Sequence, residues 1–150
     1  RIANADVRKL VAQFDLRTLT ESEAHHFTGE RNLIRAARIL REMGPRYILV
    51  KRGEHGSVLF SNDGILLMPA YPLEDVVDPT GAGDSFAGGL MGRLAAGGRV
   101  STDAIARSML YGSVVASFNV EAFSLEKLGV LSMGAIEERA ALFRRMCRIR

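Results

Sequence analysis

Apolar residues recur at two different periods along the chain, and each change of period marks the border of an element. Val7, Leu10, Val11 and Phe14 fall at helical spacing over Ala5 to Phe14, and Asp15 to Thr20 then alternates as a short strand. Glu21 to Phe27 reads as a short helix. Leu33, Ala36, Ala37 and Leu40 line one face of a helix over Asn32 to Met43, which Gly44-Pro45 stops. Tyr47-Ile48-Leu49-Val50 is an unbroken apolar run suited to a buried strand, and it leads into a turn over Gly53 to Gly56. Ser57 to Phe60 and Ile65 to Met68 flank Asn62-Asp63-Gly64, a strong hairpin signal. Val76-Val77 reads as a further short strand. Helical spacing then covers Ala82 to Ala96, Thr102 to Phe118 and Met133 to Met146, with Leu90, Met91 and Leu94 as core positions. Strands alternating with helices predict an α/β layered fold with the hairpin as an antiparallel excursion. Ligands of such sheets bind at the carboxyl ends of strands. The turns at Thr20, Gly53 and Asp78 each follow a predicted strand, so they are expected to converge on one edge.

Composition narrows the class. At 150 residues, 47% hydrophobic and 25% charged, the chain fits one globular domain. No apolar run approaches about 18 residues and the N-terminus carries no signal-peptide pattern, so a cytoplasmic protein without a membrane partner is expected. The net charge of +3 is mild. Arg139, Arg144, Arg145, Arg148 and Arg150 read as a solvated helix face, and no basic stripe interleaved with aromatics suggests a nucleic-acid partner. Cys147 is the single cysteine, which excludes an intrachain disulfide and a cysteine metal cluster. His25 and His26 are adjacent and cannot share a helix face, which argues against a two-histidine metal site.

The chemistry concentrates in Asp78-Pro79-Thr80-Gly81-Ala82-Gly83-Asp84-Ser85-Phe86-Ala87-Gly88-Gly89. Gly81 and Gly83 let the backbone turn sharply and bring N–H groups close to an anion, and the helix that follows adds its positive end. A triphosphate suits such a cradle. Asp84 is then a carboxylate placed where negative charge gathers, which makes sense if it takes a proton from a group attacking the phosphate. Read bare, Gly-Ala-Gly before a helix and an acid in its first turn are also ordinary helix-start chemistry. Gly81-x-Gly83 lacks the third glycine of a dinucleotide fingerprint, and no Gly-Lys-Ser/Thr is present for a P-loop.

The pattern Asp-x-Thr-Gly-Ala-Gly-Asp-x-Phe resembles the C-terminal signature of the PfkB/ribokinase family of carbohydrate and nucleoside kinases. The resemblance implies a ribokinase-like three-layer α/β/α sheet fold, with Asp84 as catalytic base and Gly81, Ala82 and Gly83 as anion-hole residues. Pro79 stands where the family often has Thr. Thr20-Glu21-Ser22-Glu23 is similar to the family's Asn-x-x-Glu motif, which makes Glu23 an organiser of Mg2+ through water, although Thr20 replaces the Asn. From the residues alone Glu23 also reads as a surface acid on a short helix. Lys51-Arg52-Gly53-Glu54-His55-Gly56 resembles the strand and Gly-x-x-Gly turn that lies along ATP, so Lys51, Gly53 and Gly56, with Gly81 and Gly83, are the expected nucleotide-binding residues. Lys51 stands where many relatives have Thr. Asp78 and Thr80 occupy the positions that hold a monovalent cation, K+, in relatives, and Ser124 falls near a cation-contacting Ser. Tyr111 to Asn119 falls where the adenine pocket is expected.

The matches cover the C-terminal half of the family's longer chains, and the chain opens on Arg1. The expectation is therefore that residues 1–150 form the C-terminal nucleotide-binding portion of a PfkB-type kinase, the acceptor site, the lid and a homodimer contact belonging to an N-terminal half. The expected activity is transfer of the γ-phosphoryl of ATP to a hydroxyl of a sugar or nucleoside. The alternative is a truncated relative that binds nucleotide, or a partner, without catalysis.

Overall fold

The computed structural model describes residues 13–147. The helix expected over Ala5 to Phe14 lies outside them except for its last two positions. Contacts divide the described residues into two units, 13–52 with 57–67 and 53–56 with 68–147.

The first unit is built on a sheet. β1 (Leu16–Thr20), β2 (Tyr47–Lys51), β3 (Ser57–Ser61) and β4 (Gly64–Met68) stand in that order, with β1 parallel to β2 and β2 antiparallel to β3. A parallel pair needs a crossover, and α1 (Glu21–Thr28) with α2 (Leu33–Glu42) supplies it. β2 is buried from Tyr47 to Val50 because both its faces are covered, which explains a run without alternation. Ala36, Ala37 and Leu40, the face read from the sequence, pack with Leu19, Ile48, Val50, Val58 and Phe60 as one core. Asn32 caps α2 by accepting from the Arg35 N–H at 3.1 Å.

The second unit is helical. α3 (Ala82–Gly97), α4 (Thr102–Val120) and α5 (Met133–Met146) follow one another, with α4 buried along most of its length. α3 and α4 approach closely through glycine: a Cβ on Gly112 would stand 2.8 Å from the Phe86 carbonyl oxygen. Ser101 and Ser132 cap α4 and α5, each accepting a first-turn N–H at 3.2 Å. Leu110, Val114 and Phe118 meet Ala140 and Phe143 in the core between α4 and α5. Among the described residues no helix is long and apolar enough to cross a membrane.

Three local expectations are corrected. Val76-Val77 forms no strand: both side chains are exposed, and the Val77 and Asp78 N–H groups converge on one carbonyl, that of Val120. Met91 is exposed while Leu90 and Leu94 are buried. Arg139 is not on a solvated face. Its guanidinium lies 3.4 Å from the Phe118 ring centre, donates to Ser117 Oγ at 2.9 Å and pairs with Glu121 at 2.9 Å. A charge can be held inside a helix contact when its donors are met this fully.

Candidate functional site

In the first unit the parallel register sets Thr20 opposite Lys51, so the carboxyl ends of β1 and β2 lie side by side. Thr20 is also the N-cap of α1. Its hydroxyl accepts from the Glu23 N–H at 3.2 Å, and Glu23 Oε2 accepts from the Thr20 N–H at 2.6 Å, which completes a capping box. This accounts for Thr where the resembling motif has Asn, since both residues cap helices through a side-chain oxygen. The Thr20 N–H, helped by the Thr20 hydroxyl and the charges of Lys51 and Arg17, holds the Glu23 carboxyl below its ordinary value against the opposing effect of burial. Glu23 is exposed, and its Oε1 takes no part in the box. Beside it Glu21 pairs with Arg52 at 2.8 Å.

The remaining expected residues belong to the second unit. Gly53–His55 forms a tight single turn, closed by the Gly56 N–H donating to the Gly53 carbonyl at 3.0 Å. Gly56 has φ +82, and a Cβ there would lie 2.1 Å from the Met68 carbonyl oxygen and 2.6 Å from the Pro69 carbonyl carbon. The room left by Gly56 is filled by the chain's own backbone. Gly53 differs, with φ +56 and nothing within 4 Å of the position a Cβ would take.

The Asp78–Asp84 segment is a turn stitched from both sides. Asp78 Oδ1 accepts from the Thr80 N–H at 2.9 Å, the two-residue loop typical of Asp in turns. The Thr80 hydroxyl and N–H, with the Ser124 N–H, hold the Asp78 carboxyl below its ordinary value. Asp78, Thr80 and Ser124 therefore do come together. The Asp78 carboxylate is a hard, charged oxygen ligand of the kind a hard cation takes, while the Thr80 carbonyl accepts from Asn119 at 2.8 Å. Gly81 then takes the left-handed conformation, φ +79, as N-cap of α3, and no side chain caps the helix. The first helical bond runs from the Ser85 N–H to the Gly81 carbonyl at 2.8 Å, and Ala82 gives its N–H to Pro79 at 3.2 Å. The Ala82 amide, expected in the anion hole, is thus turned into the loop. Asp84 follows in the first turn of α3, exposed, and no hydrogen bond or ion pair among the described residues engages its carboxylate. It sits at the positive end of a 16-residue helix.

Asn119, expected only as the end of the adenine-pocket stretch, has a link to the glycine turn that sequence reasoning missed. Its side chain is 2% exposed, donates through Nδ2 to the Thr80 carbonyl at 2.8 Å and accepts from Ser85 Oγ at 2.9 Å. An isolated Asn near the end of an apolar helix was the available signal, since a buried amide needs partners. Tyr111, at the other end of the adenine-pocket stretch, is also buried, its hydroxyl donating to the Glu137 carboxylate at 2.8 Å and accepting from Arg144 at 3.1 Å.

The mixed sheet with its helices is the fold of solved ribokinase-type kinases. Aminoimidazole riboside kinase from Salmonella enterica, solved with aminoimidazole riboside and an ATP analog, superposes with a TM-score of 0.78 at 24% identity over 92% of this chain and 48% of that one. A fructokinase double mutant from Vibrio cholerae O395, in a fructose-, ADP- and potassium-bound form, gives 0.79 at 18% identity over 91% and 44%. The fold class is thus α/β and ribokinase-like, as expected. The model of the pfkB family carbohydrate kinases matches residues 2–127, and the chain belongs to that family. A cytidine kinase of Thermococcus kodakarensis is 39% identical over 87 residues, 57% of this chain and 31% of that protein. The chain spans about half the length of the solved relatives and its match covers under a third of the cytidine kinase.

Proposed function

We propose that the chain is the C-terminal, nucleotide-binding portion of a kinase that transfers the γ-phosphoryl of ATP to a hydroxyl of a sugar or nucleoside. One observation carries this reading: an exposed carboxylate without a partner, Asp84, stands in the first turn of a helix that no side chain caps. Asp78 and Glu23, by contrast, each accept a hydrogen bond from a neighbouring backbone N–H. Asp84 accepts the proton of the acceptor hydroxyl as its oxygen forms a bond to the γ-phosphorus, and the bond to the bridging oxygen breaks to release ADP. The amides of Gly81 and Gly83 and the helix dipole stabilise the charge that gathers on the phosphoryl oxygens.

Lys51, Gly53 and Gly56 fit the strand end and turn that accompany the nucleotide. Glu23 would help to hold Mg2+ through water. When bound, it would screen the phosphate charge. Asp78 and Thr80 would hold K+, which would add positive charge beside the turn. Names among the relatives, a cytidine kinase and a riboside kinase, favour a nucleoside as the first acceptor to try. The test is ADP release by the full-length protein with MgATP and a panel of nucleosides and sugars. The reading expects release that depends on one class of acceptor, with one phosphate transferred per ADP formed. Nucleotide binding without acceptor-dependent release from any member would instead indicate a binding module.

A further inference from the structure

Asn119 lies one residue before the end of α4, yet its side chain acts on the loop at the start of α3. Leaving either end of a buried amide unpaired costs about 1–3 kcal/mol. Here both ends are used, and the partners fix its orientation. A backbone carbonyl can only accept, so the atom facing Thr80 must be Nδ2, which leaves Oδ1 for the Ser85 hydroxyl. Thr80 comes just before Gly81, and Ser85 just after Asp84. One side chain therefore ties both ends of the glycine turn. Between these ties the amide faces Gly81: a Cβ added there would lie 3.5 Å from Oδ1 and 3.9 Å from Nδ2. The neighbouring backbone adds two more fastenings, Val77 and Asp78 donating to the Val120 carbonyl at 2.8 and 3.3 Å.

We propose that Asn119 is the positioning residue of the turn, setting the direction in which the Gly81 amide and the start of α3 meet an anionic ligand. The inference rests on reading this turn as the phosphate site of the nucleotide. Asn119 touches no ligand itself and acts through Thr80, Gly81 and Ser85. Without its side chain the turn keeps its sequence and its place before α3, but its amides are no longer held in one arrangement, and the ordering cost falls on the ligand.

The experiment is calorimetric titration of the full-length protein with MgADP, alongside thermal melts and well below each melting temperature. Asn119→Ala is expected to weaken MgADP roughly tenfold, about 1.4 kcal/mol. Asn119→Asp keeps the acceptor for Ser85, loses the donor to Thr80 and places a charge behind the phosphates. It is expected to weaken binding more than Ala, with the excess loss shrinking as salt is raised. A purely structural role would lower the melting temperature and leave the affinity of the folded protein unchanged. If Asn119→Ala does not fold, Ser85→Ala decides, since it removes one of the two hydrogen bonds from an exchangeable hydroxyl. A weakening of about threefold supports the proposal and unchanged affinity overturns it. Variants that bind as tightly as wild type overturn this inference alone. A wild type that binds no MgADP overturns the nucleotide reading and this inference with it.

Discussion

Asp84→Asn is expected to lower turnover by about 10² to 10⁴, the usual contribution of a general base, while leaving MgADP affinity equal to wild type or tighter. The two readings of this residue differ most in magnitude. As an ordinary acid at a helix start it contributes about 0.3–1 kcal/mol through the dipole, and its loss would be seen only in a melting curve. As the base it supports a loss of several kcal/mol in the barrier, because each factor of ten in rate is about 1.4 kcal/mol. Its exposure and lack of partners mean that no fold contact is broken by the substitution. Removing a negative charge beside bound phosphates relieves repulsion, so nucleotide affinity should not fall. Initial rates and calorimetry on the same preparation separate these effects. Turnover within about tenfold of wild type would rule Asp84 out as the base.

The two glycines of the Gly-x-x-Gly turn are expected to respond very differently to alanine. Gly53→Ala meets no atom within 4 Å and carries only the left-handed backbone cost of roughly 1–2 kcal/mol. Gly56→Ala carries the same cost and in addition drives a methyl to 2.1 Å from the Met68 carbonyl oxygen, with Pro69 and Ala70 backbone close behind. Backbone cannot swing aside as a side chain can, and overpacking adds about 1–3 kcal/mol. The expected total for Gly56→Ala is roughly 2–5 kcal/mol, a large share of the stability of a domain this size. Denaturant unfolding of both variants measures the difference. Equal losses would mean that the turn does not press on residues 68–70. The comparison also bears on function, because a nucleotide effect of Gly53→Ala could be read without the fold damage expected at Gly56.

Much of the fold was legible because its signals are local. The apolar run Tyr47 to Val50 became β2, the Asn62-Asp63-Gly64 signal became the β3–β4 hairpin, and the stretch Met133 to Met146 became α5. The glycine turn was legible for the same reason, since Gly81, Gly83 and Asp84 are contiguous. What escaped depends on a distant partner. Val76-Val77 has the composition of a strand but is fastened to a single carbonyl at the end of α4, which no period can reveal. Arg139 resembles any helix-surface arginine until Phe118, Ser117 and Glu121 surround it. Asn119 meets Ser85 and Thr80 across 34 and 39 residues of chain. The Thr20 to Glu23 capping box is a different case. Its Thr-x-x-Glu spacing is visible and local, and Thr20 serves the cap that an Asn would serve there.

The most direct test of a phosphate site at the start of α3 is the amide spectrum of isotope-labelled protein during a titration with MgADP. The account predicts that the largest shifts cluster on the N–H groups of Gly81 to Ser85, with smaller ones at Asn119 and Ser124 through their hydrogen bonds to the turn. Saturable binding whose shifts lie elsewhere and leave Gly81, Gly83 and Asp84 unmoved would contradict it.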